Sequence, residues 1–353
     1  MASALDPKAT RTLDPKRLRA GLLLAVGIGV TAGLAVALIT GGPAVLEGIR
    51  RLPLVWLLVA LALSVASWFG QGVGFAALTD GGVRGNLLRM TSAFLGGDFP
   101  ALVSPFGSGG IPGGIFCLTK EGLTTGEASA IITIHSLLTG GFFVIVGAAA
   151  AVLLPLHSAG SAALVWTGFA AILVGAGAVV WIALRPARAI ASIRGIVASP
   201  AFARLLGPER AEKAAAAAER ETEQFAASMR VLMRERPGAL TLSFVGLFVS
   251  RICLVAALPV IMYGLGWRGD VWPLMATAVG AMALAVASPT PGGSGAVEAA
   301  LTALLATQTA APTAAAAALL WRGITYYTEL VAGWLALSRY LAMKRPRTPA
   351  DRS

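Results

Sequence analysis

The sequence has few charged residues, two cysteines and two histidines, and each of these shortages excludes a class of protein. Asp, Glu, Lys and Arg make up 13% of the 353 residues, against about 25% in a soluble domain. Cys117 and Cys253 lie singly in apolar stretches, which excludes a disulfide framework and a zinc ribbon. With only His135 and His157 present, a histidine-rich metal site is excluded as well, so we expect no metal and no cofactor.

Common enzyme signatures are also absent from the sequence. It contains no Gly-rich loop that ends in Lys-Ser or Lys-Thr, no His-Glu-x-x-His and no Gly-x-Ser-x-Gly turn. The basic surplus, 28 Lys and Arg against 17 Asp and Glu, is typical of the cytoplasmic loops of membrane proteins. We therefore expect neither an enzyme nor a nucleic-acid-binding protein.

Apolar residues take the place of the missing charges, at 56% of the chain. Because about 20 apolar residues cross a bilayer as one helix, the sequence predicts an all-α, polytopic membrane protein with about 6–8 transmembrane helices. The first run exceeds the about 7–15 apolar residues of a cleaved signal peptide, so we expect an uncleaved anchor. The uncharged runs are 20–40, 53–79, 126–154, 160–184, 239–264 and 313–338, and Gly and Pro interrupt two more, 87–118 and 271–308.

The distribution of basic residues predicts the orientation. Most of them lie in the N-terminal tail, between 185 and 236, and after 338, so we expect both termini in the cytoplasm. The predicted organisation is a basic tail (1–19), one membrane domain (20–341) with repeats at 53–184 and 239–341 that flank a loop (185–237), and a second basic tail (342–353).

The loop contains a predicted amphipathic helix at 208–235. Its apolar stripe packs against the protein's own helices, or binds lipid headgroups or a partner enzyme, and the residues leave these alternatives open. The stripe consists of Phe225, Met229, Leu232 and Met233 at helical spacing.

Two Gly- and Pro-rich segments interrupt the apolar stretches. Residues 104–114 read SPFGSGGIPGG, and residues 288–295 read SPTPGGSG. Proline and repeated glycine are unfavourable in a helix, and backbone groups freed from a helix cannot face lipid. The segments are either loops between spans or re-entrant breaks at membrane depth, and their apolar flanks favour the re-entrant form.

Counting spans gives the two broken segments opposite orientations. Arg84, Arg89 and Lys120 place both ends of the first segment inside, and the number of spans in between places both ends of the second outside. Each unit is then a span, a broken segment and a span, entered from opposite faces. This order predicts an inverted-topology repeat, in which discontinuous helices mark the binding site of a transporter.

Several ionisable residues lie at membrane depth, where each charge costs about 2.5–3.5 kcal/mol on insertion scales. They either neutralise one another inside the bundle or bind a substrate. Arg322 and Glu329 are seven residues apart, so we expect them on one helix face with Tyr326 between them. Glu298 either caps the helix after the second break or lines a cavity. The set comprises Asp98, Arg251, Glu298, Arg322 and Glu329, with His135 as a further member for which packing is favoured over a ligand role.

The stretch 288–298, followed by WRGITYY at 321–327, resembles the lysylphosphatidylglycerol synthase transmembrane region family of flippase-like membrane proteins. Residues 104–110 resemble the motif in the first half of that family. The resemblance covers about 50–341. It implies movement of phospholipids, or of aminoacylated, glycosylated or other anionic lipids, between leaflets. The amino-acid transferase domain of the synthases is not expected in this chain.

Residue pattern and resemblance together predict a lipid translocase with membrane lipids as partners. A separate lipid-synthesis enzyme and a second copy of the chain are further expected partners. The alternatives are a secondary transporter of a small polar solute, or the membrane subunit of a lipid-modifying enzyme. The substrate-binding candidates are Arg322, Glu298, Arg251, Tyr326, Tyr327, Gly292, Gly293, Gly295, Ser108, Gly109 and Gly110, and the gating or ion-pair candidates are Glu329, Asp98 and His135.

Overall fold

The computed structural model describes residues 42–79, 87–153 and 227–343 and a few isolated positions elsewhere. These residues are helical with short connections and contain no strand, which confirms the all-α prediction. Within them, three helices are long and apolar enough to cross a membrane, at Leu54–Leu78, Thr125–Val146 and Pro237–Gly264. The predicted spans 20–40 and 160–184 lie almost entirely outside the described residues, as does most of the helix predicted at 208–235.

The helices follow one another with few connecting residues. A π-helical turn, Gly323–Tyr327, joins α9 to α10, so these two form one continuous rod. Short 3₁₀ turns lie at Pro105–Gly107 and Pro291–Gly293. In chain order the helices are α1 (Ala44–Arg51), α2 (Leu54–Leu78), α3 (Leu87–Leu102), α4 (Gly110–Lys120), α5 (Thr125–Leu153), α6 (Pro237–Gly264), α7 (Val271–Ala287), α8 (Ala296–Ala306), α9 (Ala311–Arg322) and α10 (Thr328–Ala342).

The first hairpin consists of α3, the tip at residues 103–109, and α4. Its two arms run antiparallel at close range, because a Cβ on Gly113 would lie 2.5 Å from the carbonyl oxygen of Gly97. The shorter arm, α4, has 11 residues and is about 16 Å long, about half of a 30 Å hydrocarbon core. The chain therefore enters and leaves the hairpin at one end of the bundle, as the re-entrant form requires.

The second hairpin consists of α7, the tip at residues 288–295, and α8. Leu274, Ala278 and Ala281 of α7 belong to one buried cluster with Val297 and Leu301 of α8. Because α8 also has only 11 residues, this arm too is about half as long as a hydrocarbon core is thick.

The long helices α2 and α6 cross antiparallel at a contact of glycines. A Cβ on Gly246 would lie 2.5 Å from the carbonyl oxygen of Gly70, and one on Gly70 would lie 2.6 Å from that of Gly246. Further along the crossing, Gly74 contacts Ser243. Small residues of this kind let membrane helices approach until their backbones touch, and van der Waals packing then stabilises the pair.

The antiparallel crossing explains the inverted repeat. Hairpin one follows the C-terminal end of α2 and hairpin two follows the C-terminal end of α6, and these ends lie on opposite sides of the bundle. The first unit is α2, a hairpin and α5, and the second is α6, a hairpin and the rod of α9 and α10. The fold therefore has the predicted order of span, broken segment and span in each half.

The part of the loop helix that the structure describes packs inward. Met229 is 2% exposed and Leu232 is 5% exposed, and both belong to the core cluster of the first hairpin. Phe225 packs against the same cluster, whereas Met233 is exposed. Most of the predicted apolar stripe therefore contacts the protein's own helices.

Candidate functional site

The tips of the two hairpins meet, and at the contact Ser288 is buried whereas Phe106 is 60% exposed. The backbone N–H of Phe106 donates a hydrogen bond to the carbonyl of Ser288 at 3.2 Å. At corresponding positions of the two tips, Phe106 (φ 53°) and Gly292 (φ 57°) adopt the left-handed conformation. Since a non-glycine residue rarely adopts that conformation, Phe106 marks a constrained backbone at the contact.

The predicted candidates Ser108, Gly109 and Gly110 form the turn that leads into α4. The N–H of Gly109 donates to Ser104 Oγ at 2.8 Å, and its Cα faces the Pro100 carbonyl too closely for a Cβ. Ser108 is exposed. The two glycines thus permit the arms of the first hairpin to converge.

An ion pair holds the second tip against the rod. Arg322 Nε donates to Glu298 Oε1 at 2.9 Å, and Arg322 Nη2 donates to the carbonyl of Gly292 at 2.8 Å. The guanidinium also lies 4.0 Å from the ring centroid of Tyr326. Arg322 is 4% exposed and Glu298 is 2% exposed. We call Arg322, Glu298, Gly292 and Tyr326 the tip lock.

Glu298 fills a second role in the tip lock, as the predicted cap. Its Oε2 accepts a hydrogen bond from the N–H of Gly295 at 2.8 Å, at the start of α8. This contact satisfies one of the free amides of the helix start and confirms the capping alternative. The N–H of Gly293 is likewise used internally, by the carbonyl of Thr290 at 2.9 Å.

The polar groups of Arg322 and Glu298, which were predicted to bind substrate, are already paired with other groups in the tip lock. Arg322 binds a carboxylate and a carbonyl and stacks on a ring, so the structure favours internal pairing over a direct phosphate contact for this residue. Gly292 has room for no side chain, because a Cβ there would overlap the ring of Tyr326.

Tyr326 connects the tip lock to the first hairpin. Its hydroxyl donates to the carbonyl of Leu102, the last residue of α3, at 3.0 Å. The ring of Tyr327 meets that of Tyr326 edge-on, with centroids 5.0 Å apart. The rod therefore contacts both hairpin tips within one helical turn.

A second group of charges lies apart from the tip lock. Asp98 of α3, Arg251 of α6 and Glu329 of α10 interact electrostatically with one another, and all three are partly buried. We call them the central cluster. Among the residues that the structure describes, Arg251 makes neither a hydrogen bond nor an ion pair, so its guanidinium has donors to offer.

The π-helical turn corrects one prediction. Arg322 and Glu329 were expected on one helix face, but Arg322 belongs to the tip lock and Glu329 to the central cluster. A π-helical turn takes more residues per turn than an α-helix, and Gly323–Tyr327 therefore rotates the following residues to another face.

Unpaired polar atoms occur in the helices that supply the central cluster and in α2 and α5. Buried polar groups are normally hydrogen-bonded, and such sets are satisfied by internal water or by a ligand. His135 Nδ1 has no partner among the described residues, and the imidazole packs edge-on against Phe75 with centroids 5.0 Å apart. The others in these helices and in the π-helical turn are Trp68 Nε1, Gln71 Oε1, Thr91 Oγ1, Thr139 Oγ1, Ser243 Oγ, Ser250 Oγ, Arg251 Nε and the Tyr327 hydroxyl.

A shallow, open apolar groove lies on the surface of the rod. It has a volume of about 460 Å³ and runs along one side of the rod. Val331 and Leu335 are more than half exposed along it. Its lining residues are Gly323, Tyr327, Thr328, Val331, Ala332 and Leu335. Glu329 of the central cluster follows Thr328 in the chain but does not line the groove.

Two buried residues with unpaired polar atoms were not among the candidates predicted from the sequence. Gln71 and Ser250 are 2% and 0% exposed and carry unpaired polar atoms, yet they read as ordinary residues of apolar helices. Their polarity within uncharged spans was the available signal, because polar side chains inside a membrane are expensive.

Comparison with known proteins gives one match. Residues 22–333 match the family model described as Lysylphosphatidylglycerol synthase TM region. The matched range contains both hairpins, the tip lock and the central cluster. No curated protein matches the chain, and no solved structure matches it.

Proposed function

The chain belongs to the lysylphosphatidylglycerol synthase transmembrane region family, and from that premise we propose that it translocates lipids between the leaflets of its membrane. Membership makes it a multi-pass membrane protein related to lipid modification or translocation. Translocation, rather than modification, is the activity that the site supports best.

The observation that carries the proposal is that the rod bears both a charged group of the central cluster and an exposed apolar groove. Glu329 belongs to the central cluster, while Tyr327 and Thr328 line the start of the apolar groove. A lipid needs both features at once, a polar site for its headgroup and an apolar path for its chains. A small polar solute needs only the first, so the groove favours a lipid over the solute-transport alternative.

The hairpins supply a mechanism of alternating access. They enter from opposite ends and meet at the contact of Phe106 with Ser288. Opening of one hairpin exposes the cluster to one side of the membrane, and opening of the other exposes it to the opposite side. Inverted repeats with discontinuous helices at the midplane operate in this way in secondary transporters.

Arg251 is the proposed headgroup ligand. Its guanidinium has unused donors at the described part of the site, and a planar guanidinium suits the phosphate that phospholipids share. Arg322 is already bonded to Glu298 and Gly292. We therefore assign the contact with the headgroup phosphate to Arg251 alone, although both arginines were substrate-binding candidates in the sequence. With both termini in the cytoplasm, as the basic residues indicate, the first hairpin opens inward.

A reconstitution experiment tests the proposal. The full chain is placed in vesicles with fluorescent phosphatidylglycerol, lysyl-phosphatidylglycerol or phosphatidylethanolamine, and an impermeant quencher reports the rate at which lipid changes leaflet. We expect the protein to accelerate at least one lipid and Arg251→Ala to abolish the acceleration. Arg51→Ala, at an exposed pair with Glu47, serves as the matched control.

Two results contradict the proposal. One is an absence of acceleration for all three lipids. The other is an Arg251→Ala protein that folds and accelerates lipid as well as the Arg51→Ala control does. Uptake of a water-soluble solute by the same vesicles in the first case would establish the solute-transport alternative.

A further inference from the structure

The apolar groove on the rod ends one helical turn before an arginine. Arg339 lies four residues after Leu335 and seven after Ala332, and both of these residues line the groove. At 3.6 residues per turn, the two spacings return to nearly the same face of α10. The arginine therefore stands in line with the groove, just beyond its last lining residue.

The length of the groove matches the thickness of one leaflet. Its lining residues extend from Gly323 to Leu335, which corresponds to about 18 Å of helix. Half of a hydrocarbon core is about 15 Å thick. Arg339 lies about 6 Å further along the helix axis. It is therefore at the headgroup level of the leaflet whose acyl chains reach the groove.

The groove is concave because its floor consists of small residues. A Cβ added to Gly323 would meet no atom within 4 Å. Ala332 lies between Val331 and Leu335, whose side chains are 55% and 64% exposed. A single extended hydrocarbon chain fits this shape, with its apolar surface against the raised side chains.

The guanidinium of Arg339 has no carboxylate partner within the described part of the chain. Its side chain is exposed, and none of the ion pairs there includes it. The nearby carboxylate of Glu121 is already paired with Arg89. Attraction to the C-terminal helix dipole explains a basic residue in the last turn of α10, but it does not explain the register of that residue with the groove.

A second cation lies at the same end of α10. The amino group of Lys120 donates to the carbonyl of Met343, and the N–H of Met343 donates to the carbonyl of Arg339 at 3.1 Å. The ammonium is thus held about one helical turn from Arg339. Two neighbouring positive charges favour an anion, and the planar fork of arginine matches a phosphate group.

We propose that this face of the rod binds one anionic phospholipid, with an acyl chain in the groove and the phosphate on Arg339. The lipid belongs to the leaflet at the end of the bundle where the first hairpin begins. Tyr340 identifies that end, because its hydroxyl donates to Glu121 and lies 3.2 Å from the carbonyl of Arg89 in α3. The consequence that the protein loads its substrate from this leaflet rests on the proposed function, whereas the binding itself does not.

Native mass spectrometry of the purified chain in detergent tests the site. The protein is titrated with phosphatidylglycerol and with phosphatidylcholine of the same chains, and we expect tighter binding of phosphatidylglycerol. Arg339→Gln should weaken that binding about tenfold, because a charged contact is lost. Arg51→Gln, at an exposed pair with Glu47, should leave it unchanged. Gly323→Leu should weaken binding of both lipids by filling the groove, whereas Gly280→Leu, which also meets open space, should not.

Two results would overturn the site. One is equal affinity for the two lipids, or equal affinity of Arg339→Gln and Arg51→Gln for phosphatidylglycerol, because the face would then hold only bulk membrane lipid. The other is the same binding in Gly323→Leu as in Gly280→Leu, because the groove would then hold no chain.

Reconstituted vesicles test the loading role. At a low fraction of phosphatidylglycerol, Arg339→Gln should translocate this lipid several-fold more slowly than Arg51→Gln. A saturating fraction should restore the native rate, because only binding is weakened. A rate that equals the control at every fraction, or that stays low at every fraction, refutes loading through Arg339. Failure of the proposed function has a different signature, since phosphatidylglycerol would still bind through Arg339 but no lipid would change leaflet at any fraction.

Discussion

Arg322 and Glu298 form a buried ion pair, 2.9 Å between Nε and Oε1, that joins the rod of α9 and α10 to the second hairpin. Each partner makes a further contact with the hairpin tip, Arg322 to the Gly292 carbonyl and Glu298 to the Gly295 amide. Buried pairs that are satisfied in this way specify a geometry more than they add net stability. The pair therefore fixes where the second tip sits.

Loss of Arg322 should destabilise the fold. Arg322→Ala leaves Glu298 buried without its counter-charge, which costs about 3–5 kcal/mol. Thermal unfolding in detergent should show a clear fall in Tm. The double variant Arg322→Met with Glu298→Leu should recover much of it, because neither charge is then left buried.

The exposed pair of Arg51 with Glu47 provides the control for this prediction. Arg51→Ala should change the free energy of unfolding by no more than about 1 kcal/mol. If Arg322→Ala instead kept the native Tm and lost bound anionic lipid, detected by mass spectrometry of the purified protein, Arg322 would be a substrate ligand and not a structural one.

The glycine crossing of α2 and α6 gives a second prediction. Gly246→Ala places a Cβ against the Gly70 carbonyl, which should separate the helices and cost about 1–3 kcal/mol. Gly280→Ala in α7 is the matched control, since no atom lies within 4 Å of its added Cβ. Equal Tm values for the two variants would mean that α2 and α6 do not touch at this point.

The hairpins were predictable because their signals are local. Residues 104–114 and 288–295 concentrate Gly and Pro within apolar stretches, and each residue type disfavours helix independently of its surroundings. The capping role of Glu298 was also open to prediction, because it depends only on its position three residues after Gly295.

The pairing of charges was not predictable from spacing. The α-helical period predicted Arg322 and Glu329 on one face, but the π-helical turn between them rotates the residues that follow it to a different face of the rod. Which carboxylate meets which arginine depends on how α3, α6 and α10 pack, and no short-range pattern encodes that. Gly70 and Gly74 are four residues apart in an apolar stretch, a spacing typical of helix packing, whereas no short-range pattern indicates that they contact Gly246 and Ser243.

The contact between hairpin tips gives a third prediction, which concerns motion. In a chain with Cys117→Ser and Cys253→Ser, the pair Phe106→Cys with Ser288→Cys should form a disulfide under mild oxidation, because the two backbones are hydrogen-bonded. Alternating access requires the tips to separate, so the cross-link should stop lipid translocation and reduction should restore it. Cross-linked protein that translocates at the native rate would contradict the mechanism.

At the end of the bundle that holds the start of the first hairpin, Tyr340 joins α10 to α3 and α4. Its hydroxyl donates to Glu121 Oε1 at 2.7 Å and lies 3.2 Å from the Arg89 carbonyl. Tyr340→Phe removes a hydrogen bond to a charged group, which should cost about 1.5–3 kcal/mol and loosen the packing over buried Cys117.

Two measurements check the effect of Tyr340→Phe in a Cys253→Ser background. The Tm should fall, and a membrane-permeant maleimide should label Cys117 faster, because opening of this end exposes the thiol. Tyr263→Phe is the control, since its hydroxyl donates to the Gly269 carbonyl at 3.2 Å in an exposed loop and its loss should change stability by about 0.5 kcal/mol or less. If the two variants show the same Tm and the same rate of Cys117 labelling, Tyr340 does not hold this end closed, and closure must then rest on the pairing of Arg89 with Glu121.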